Sequence, residues 1–392
     1  MITTEKRLKT IIIGSADVIK LCVVRAVGSY GCDVDVIHLG SQKGWGIKPV
    51  DYYSKYVSNY YFTQRDGLVE LLLSKCKNLD TKPVLFTLDD YSTFLIDKSR
   101  EELGNYFRFA HLLNDRPIDA YMNKHLLKMK ASEVGMKIAE GWPIPYEGGE
   151  FILPKGIKYP CFLKGLHSTF VSKGIQCRCN NEEELLQYLQ ICKRKYPHPI
   201  YAEEFLPIEK DFGVIGVSDG VYSIIPAKVE LIEMGKGSTN GVSMLGKVSP
   251  IKDPILLEQI ESLLKDISYT GIFNIDFVES KGQVYFVELN FRFAAYGFGV
   301  FRAGCNIPAI FINMLTNNEN KSLNNQIEPS CYYLNEKIAL TNLIENNIRL
   351  RKYRTLRKKA DYTMVRDKKD PKPFWMFFAK MGIKYIKKKI HF

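Results

Sequence analysis

Residues 273–293 bring together side chains that suit metal and phosphate chemistry. Two β-rich runs, 273–279 and 284–293, are separated by a short turn around Gly282, and this pattern predicts a β-hairpin. Because strand side chains alternate between faces, a turn centred on Gly282 places four polar residues on one face, as the cross-strand pairs Asp276–Glu288 and Asn274–Asn290. The other face is then apolar, with Phe273, Ile275, Phe277, Val287, Leu289 and Phe291.

Two carboxylates held side by side on neighbouring strands repel each other, at a cost of order 0.2 to 1 kcal/mol when exposed and more when buried. A cation between Asp276 and Glu288 would remove that cost. Carboxylate and amide oxygens, without nearby His or Cys, are the ligands that Mg²⁺ prefers. The alternative is a solvated hairpin face on which Arg292 is the counter-ion. The spacing Glu288-x-Asn290-x-Arg292 favours the metal site.

The runs Asn274-Ile275-Asp276-Phe277 and Glu288-Leu289-Asn290-Phe291-Arg292 resemble the metal-binding motif of the ATP-grasp superfamily. The usual form of the second run is Glu-x-Asn-Pro-Arg, so Phe291 stands where the family has proline. The resemblance implies ATP and two Mg²⁺ ions as cofactors, with Mn²⁺ as an alternative ion. It also implies that Asp276, Glu288 and Asn290 hold the metal and that Arg292 steadies an acyl phosphate or tetrahedral intermediate.

The same family has lysines that contact the nucleotide phosphates. Lys164 ends a predicted strand, 159–164, before a loop at 165–174 that has fewer glycines than is usual. The resemblance implies phosphate contacts from Lys164 and Lys124 and from the end of the loop, at Ser172 and Lys173. For Lys124, which begins a predicted helix, an ordinary surface lysine is the alternative.

Residues 202–207 resemble the family segment that binds adenine. By that resemblance Glu203 pairs with the hydrogen-bonding edge of the base, and the backbone around Leu206 completes the contact. The residues between them, Glu204 and Phe205, belong to the same segment. An acid for the ribose hydroxyls follows, and Asp211 is preferred over Glu209 because Asp211 opens the next predicted strand.

Two further lysines lie where they could approach the γ-phosphate. Lys228 is on or near a predicted strand, and Lys236 is in the glycine-containing loop 235–241. Lys236 is interpreted as a catalytic residue, with a solvated loop lysine as the alternative.

The elements that must position these residues begin with a βαβ unit, predicted as strand 9–14, helix 17–30 and strand 33–39, which indicates a parallel sheet. Gly14-Ser15 is only a fragment of a dinucleotide-binding motif, so a plain tight turn is favoured over NAD binding. A further strand, 84–88, ends at Asp89-Asp90, where α/β sheets bind their ligands. These two acids either contact substrate or cap the next helix.

The predicted fold class is α/β and α+β. An N-terminal Rossmann-like βαβ domain, 1–120, precedes a two-lobed ATP-grasp domain, 121–320, with its nucleotide clamp at 155–215 and its metal hairpin at 273–293. A C-terminal extension, 321–392, ends in a basic helical tail. The resemblance covers residues 8–315. Within the superfamily, residues 24–28, 54–57 and 85–90 look most like carboxylate:amine ligases of the D-aspartate ligase type.

Composition excludes several other classes of protein. Of the 392 residues, 46% are hydrophobic and 25% charged, as in soluble globular proteins, and no apolar run reaches the roughly 18 residues of a membrane span. We expect a cytoplasmic protein without a transmembrane helix or signal peptide. Nine cysteines without framework spacing indicate reduced thiols. The pair Cys177 and Cys179 lacks the second pair that a zinc site requires.

The net charge of +12 comes from the end of the chain. Residues 349–392 contain 16 basic and three acidic residues, which leaves 39 basic and 40 acidic residues before them. A nucleic-acid partner is therefore not expected. The aromatic and lysine-rich stretch 373–389 suits an interfacial helix on an anionic membrane, and a helix packed on the protein body is the equal alternative.

The expected function is an ADP-forming ligase that activates a carboxylate as an acyl phosphate and couples it to an amine. By resemblance only, the product is an amino acid joined to a cell-envelope or surface-polysaccharide precursor. The alternatives are an ATP-binding protein without turnover and another ATP-dependent phosphotransferase. The predicted small-molecule partners are the carboxylate and the amine.

Overall fold

The computed structural model describes residues 7–40, 47–76, 81–114, 116–170, 175–235, 243–317, 323–327 and 329–390. Its N-terminal part is a parallel sheet with strand order β3-β2-β1-β4. The elements are β1 (Lys9–Gly14), α1 (Asp17–Tyr30), β2 (Asp33–Leu39), β3 (Val57–Thr63), α2 (Leu68–Cys76), β4 (Val84–Thr87), α3 (Asp90–Lys98) and α4 (Arg100–Leu103). The predicted βαβ unit is confirmed with its bounds, because a buried isoleucine run forms β1 and a left-handed Gly31 ends α1.

A short linking region follows, with β5 (His111–Leu112), α5 (Ile118–Tyr121) and α6 (Lys124–Glu133). The side chain of Asn123 caps α6 by accepting from the backbone N–H groups of His125 and Leu126. The helix ends before Gly135, whose φ of +85° an L-residue rarely adopts. The predicted helix at 123–134 is therefore confirmed, and its first turn points Lys124 toward the centre of the molecule.

The next unit is a small antiparallel sheet with strand order β10-β9-β11-β6 and one covering helix. Its elements are β6 (Gly141–Ile144), β7 (Tyr146–Glu147), β8 (Glu150–Phe151), β9 (Cys161–Gly165), β10 (Cys177–Cys179), α7 (Glu182–Lys195) and β11 (Ile200–Glu204). Strands β7 and β8 form a separate two-stranded ribbon. One face of the sheet packs on α7 through Leu185, Leu189 and Cys192, which leaves the other face free to line a cleft.

A large sheet with strand order β16-β15-β12-β13-β14-β17-β18 forms the other half of the molecule, and β5 pairs with β15 at its side. Its elements are β12 (Lys210–Asp219), β13 (Ser223–Met234), β14 (Ser243–Ser249), α8 (Pro254–Asp266), β15 (Tyr269–Ser280), β16 (Gln283–Asn290), α9 (Gly297–Arg302), α10 (Ile307–Thr316), β17 (Cys331–Leu334), α11 (Glu336–Ile344), α12 (Leu350–Lys359), β18 (Tyr362–Thr363) and α13 (Lys372–Ile390). Residues 205–209 join β11 of the small sheet to β12 of the large sheet.

The hairpin of β15 and β16 turns at Lys281 and Gly282, both with positive φ, so the centre of the turn lies half a residue before Gly282 and the cross-strand pairing beside it shifts by one residue. Pairs beside the turn therefore follow a different register, with Phe277 opposite Phe286. A bulge at Val287 then shifts the register, so that Asp276 lies opposite Glu288. The predicted polar pairs are confirmed. The predicted apolar face is corrected at one position, because Phe286 rather than Val287 enters the core.

The C-terminal residues are integrated into the body of the protein. Strands β17 and β18 extend the large sheet, and α13 packs on the N-terminal part through the buried Phe377 and Met381. Asp370, just before α13, is 1% exposed and accepts hydrogen bonds from Arg25, at 3.0 Å, and from Ser54, at 2.8 Å. Of the two sequence alternatives for the tail, packing on the body is the one observed.

A second face of α13 is open to solvent. Trp375 is 67% exposed, and Phe378, Tyr385 and Ile386 are exposed along the same side of the helix. Among the described residues, every helix falls short of the length and hydrophobicity that a membrane crossing requires.

Candidate functional site

The polar face of the β15–β16 hairpin approaches α6, where Lys124 Nζ lies 3.8 Å from Glu288 Oε2, and we call the region between them the cleft. Asp276 and Glu288 are direct cross-strand partners, and Asn274 and Asn290 form the next pair along the strands. The Nδ2 atom of Asn290 lies 3.3 Å from Asp276 Oδ2 and 3.5 Å from Glu288 Oε1. Three of the predicted metal-binding residues are thus brought together, with an amide group between the two carboxylates.

The two carboxylates are under electrostatic strain in this arrangement. Burial, and then the negative charge of Glu288, raises the pKa of Asp276 to about 8. A divalent cation between the side chains would favour their charged forms, and the donors are oxygen atoms only, which suits Mg²⁺. In the part of the chain that the structure describes, no three His, Cys, Asp or Glu side chains converge as a metal cluster. An ion here would therefore keep positions for phosphate oxygens or water.

Arg292 links this polar cluster to α3 of the N-terminal part. Its Nε donates to Asp90 Oδ1 at 2.6 Å and its Nη2 to Asp90 Oδ2 at 3.2 Å, a two-bonded ion pair. The same Nη2 donates to Asn290 Oδ1 at 3.2 Å. Asp89 instead caps α3 by accepting from the backbone N–H of Ser92. The two sequence alternatives for the acid pair thus apply to different residues, since Asp89 caps the helix and Asp90 joins the site.

Three buried lysines lie on the other side of the cleft. The side chains of Lys124, Lys128 and Lys164 are 8%, 2% and 6% exposed, and they come from α6 and β9. The Nζ atom of Lys124 donates to Ser168 Oγ at 2.7 Å and lies 3.8 Å from Glu288 Oε2. Lys124 is therefore a residue of the cleft, and the surface-lysine alternative does not apply.

Glu203 binds two of the buried lysines. Its Oε1 is 2.8 Å from Lys164 Nζ and its Oε2 is 2.5 Å from Lys128 Nζ. Burial alone would raise the pKa of Glu203, but the two ammonium groups hold it at about 2. Glu203 therefore anchors the two lysines, and its contact with the edge of adenine stays a prediction of the resemblance.

Lys128 is a site residue that sequence reasoning missed. It follows Lys124 by four positions on α6, and residues at that spacing share one face of a helix. This spacing could have predicted Lys128, because a lysine one helical turn after Lys124 lies on the same face of α6 as Lys124. Burial lowers the pKa of Lys128 to about 8, although the charge of Glu203 opposes that shift.

The linker after β11 carries the other predicted nucleotide contacts. The backbone N–H of Glu204 donates to Glu140 O at 2.8 Å, and that of Phe205 to Pro160 O at 3.0 Å. The guanidinium of Arg178 lies 4.3 Å from the ring centre of Phe205. Leu206, the second residue of the linker 205–209, is partly buried. These contacts fix the backbone of the linker between the two sheets, where the resemblance implies that the base binds.

Asp211 and Glu209 have different surroundings, and the difference favours Asp211 as the ribose acid. Both oxygens of Glu209 accept from the hairpin turn, from the N–H of Lys281 at 2.9 Å and of Gly282 at 3.2 Å. Asp211 is partly buried on the same face of the large sheet as Asp276, one rung away, and burial raises its pKa to about 6. Glu209 is occupied in stabilising the turn.

Not every predicted residue reaches the cleft. Lys228 pairs with Val214, which pairs with Ile275, so the register places Lys228 on the opposite face of the sheet from Asp276. There it forms an ion pair with Glu230 at 3.2 Å. We therefore leave Lys228 out of the site. Three further predicted residues, Ser172, Lys173 and Lys236, lie outside the residues that the structure describes.

Comparisons with known proteins agree with this architecture. No model of a protein family matches the chain. The large chain of carbamoyl phosphate synthase from Sulfurisphaera tokodaii is 27% identical over 147 residues, a match that spans 36% of this chain and 14% of that relative.

Solved structures match over most of the chain. N5-carboxyaminoimidazole synthetase from Staphylococcus aureus, in complex with ADP, has a TM-score of 0.63 at 16% identity and covers 88% of this chain and 87% of its own. L-amino acid ligase from Bacillus licheniformis has a TM-score of 0.59 at 14% identity and covers 82% and 79%. The MgADP-bound biotin carboxylase domain from Hydrogenobacter thermophilus has a TM-score of 0.63 at 14% identity and covers 84% and 74%.

Proposed function

We propose, on the premise that the chain has the ATP-grasp fold of these enzymes, that it is an ADP-forming ligase of a carboxylate and an amine. In the first step a carboxylate oxygen of the substrate attacks the γ-phosphorus of ATP, the bond to the β-phosphate oxygen breaks, and ADP leaves. In the second step the amine nitrogen attacks the acyl carbon, inorganic phosphate leaves, and the nitrogen loses a proton. Both steps need charge neutralisation and positioning more than a protein nucleophile.

The observation that carries this proposal is the meeting of two opposite charge clusters in one cleft. The carboxylates of Asp276 and Glu288 lie near the buried lysines of α6 and β9, and Lys124 of α6 lies 3.8 Å from Glu288. A polyphosphate with a bound divalent ion complements both clusters, since the ion fits the acids and the phosphate oxygens fit the lysines.

The residues would divide the chemistry as follows. Asp276, Glu288 and Asn290 would hold Mg²⁺, which when bound supplies positive charge to the β- and γ-phosphates. Lys124 and Lys164 neutralise phosphate oxygens, and Arg292 stabilises the charge that develops at the acyl phosphate. The ion pair with Glu203 holds the Lys164 ammonium group in one orientation, beside the expected position of the phosphates. Asp211 accepts from the ribose hydroxyls, and the backbone at Glu204–Leu206 binds the base.

We also propose that the enzyme joins an amino acid to a cell-envelope or surface-polysaccharide precursor. The support is the sequence resemblance to the D-aspartate ligase type at 24–28, 54–57 and 85–90. Two of those segments have structural roles, because Arg25 and Ser54 both bind Asp370. The third segment contains Asp90, which binds Arg292. Because Arg292 is assigned to the acyl phosphate, this third segment is the one that supports the proposed substrates.

The test is ADP release from Mg-ATP with a panel of D- and L-amino acids, each offered with nucleotide-sugar uronates or peptidoglycan precursors. Turnover that requires both a carboxylate and an amine supports the ligase and identifies its substrates. Glu288→Gln should lower turnover by at least 100-fold because one metal ligand is lost. Glu279→Gln is the matched control, since Glu279 lies on the same hairpin but pairs with Lys210 outside the cleft. ATP binding without stimulation by any pair would favour a binding protein.

We further propose that the exposed face of α13 contacts an anionic membrane surface. Trp375 and Phe378 lie on that face, and the sequence that follows contains Lys387, Lys388 and Lys389, which would supply positive charge. Replacing both aromatic residues with serine should abolish flotation with phosphatidylserine vesicles. The control replaces Val221 and Tyr222, which are also exposed and lie in the turn between β12 and β13. Equal flotation of the two double variants would contradict the proposal.

A further inference from the structure

We infer that Tyr296 is a positioning residue that fixes the metal ligand Asp276, an inference that rests on the proposed function. Tyr296 follows the hairpin and precedes α9. Its ring is 3% exposed, and its hydroxyl donates to Asp276 Oδ1 at 3.0 Å. The tyrosine does not line the cleft, so it acts on the chemistry only through the carboxylate that it holds.

The backbone of β12 is adapted to this contact. Gly213 is the β12 partner of Asp276, and the Tyr296 ring lies against it. A Cβ atom at Gly213 would be 2.3 Å from the Tyr296 hydroxyl and 2.4 Å from its ring carbon Cζ. Because no side chain larger than hydrogen fits there, glycine at 213 and tyrosine at 296 form one structural unit beneath Asp276.

Asn274 lies beside this pair of residues. Its side chain is 2% exposed, it is the cross-strand partner of Asn290, and its Oδ1 atom is buried without a hydrogen-bond partner among the described residues. The contact that orients the phenol is therefore the hydrogen bond that it donates to Asp276.

The phenol determines which oxygen of Asp276 is left for an ion. Oδ1 is bound to the phenol, while Oδ2 lies 3.3 Å from Asn290 Nδ2. The charged and polar groups around Asp276 are Glu288, Asp211, Asn290, Arg292 and the phenol. Hydrogen bonds that orient a ligand from outside the coordination shell contribute about 10- to 100-fold in metal affinity or activity.

The test is Mn²⁺ binding to the full chain with ADP, measured by the electron paramagnetic resonance signal of free Mn²⁺ without turnover. Tyr296→Phe should raise the Mn²⁺ dissociation constant by about 10- to 100-fold. Gly213→Ala should do the same with the phenol present, because the added Cβ displaces the ring. Tyr333→Phe is the control, since that buried tyrosine covers Gly246 in the same core, away from the acids.

Each outcome distinguishes a role of Tyr296 in positioning Asp276 from a role in packing alone. A Tyr296→Phe protein that stays folded and binds Mn²⁺ within about threefold of wild type overturns the inference, as does an equal loss in Tyr333→Phe. Saturating Mg²⁺ should restore most of kcat in Tyr296→Phe, whereas its KM for Mg²⁺ should remain raised. If wild type binds Mn²⁺ and ADP but joins no substrates, the ligase proposal fails while the role of Tyr296 stands.

Discussion

Replacing Glu203 with glutamine removes the carboxylate shared by Lys164 and Lys128 and changes little else. The amide has the same shape, so the variant tests charge rather than packing. The two lysine side chains are 6% and 2% exposed, and they would remain buried without a counter-charge. We expect the small sheet to be strongly destabilised at neutral pH.

The size of the effect follows from the pKa of Glu203, which is about 2 in the folded protein and 4.5 for a free glutamate. Those values correspond to about 3 kcal/mol of folding free energy at pH 7. Breaking other buried ion pairs by removing one partner costs a similar 3 to 5 kcal/mol. Because the folded pKa is depressed, this stability is present above about pH 4.5 and is lost as the pH falls toward 2.

Trp142 provides a local probe, because it lies on β6 opposite Ala202, the neighbour of Glu203 on β11. Replacing the other two tryptophans, Trp45 and Trp375, with phenylalanine leaves its fluorescence to report on the small sheet during urea unfolding. With a typical slope of about 2 kcal/mol per molar urea, Glu203→Gln should lower the midpoint by about 1.5 M at pH 7.

Glu204→Gln is the control, since its partly exposed side chain is on the other face of the strand, and it should cost less than about 0.5 kcal/mol. The difference in the free energy of unfolding between wild type and Glu203→Gln should fall near pH 3 to about half of its value at pH 7. A difference below about 1 kcal/mol at pH 7, or an equal difference at pH 3 and pH 7, would refute the reasoning.

Three further predictions come from other contacts. Asp90→Asn should lower kcat by about 10- to 100-fold in steady-state assays with little change in KM for ATP, because Arg292 loses a charge-assisted pair of about 1.5 to 3 kcal/mol. Nucleotide affinity, measured calorimetrically, should fall about tenfold as the pH rises from 7 to 9 and Lys128, with a pKa of about 8, loses its charge, and Lys128→Met should flatten that profile. Asp370→Ala should cost about 3 to 5 kcal/mol by leaving Arg25 buried without its partner, and limited proteolysis should then release α13.

The hairpin shows how far sequence reasoning reaches. The alternation of polar and apolar residues was enough to place Asp276 and Glu288 on one face, because that alternation is a local property of strands. Their pairing also required the register. The turn was predicted half a residue late, which shifts each pair by one residue, and the bulge at Val287 restored the predicted pair. Bulges depend on how a strand packs against its neighbours, which the sequence of one strand does not contain.

The cleft contains contacts that the sequence alone does not predict. Lys124 and Lys164 follow from the family motif, but the motif does not say how many lysines bind Glu203. The number depends on the contact between α6 and β11, in which Lys128 and Glu203 are 75 positions apart along the chain. The same holds for Lys228, where the strand was predictable but the face that it presents required the register of three strands.

The ion pair between Arg25 and Asp370 joins the first helix of the chain to a residue 345 positions later. While the protein is being synthesised, the N-terminal sheet emerges first, but the residues that bind the Arg25 guanidinium, 364–370, follow only when nearly the whole chain has been made. At typical rates of about 5 to 20 residues per second, that wait lasts roughly 20 to 70 seconds. The N-terminal part is therefore completed only when synthesis is almost finished, and we expect a chain that stops before these residues to leave this side of α1 uncovered and open to proteolysis.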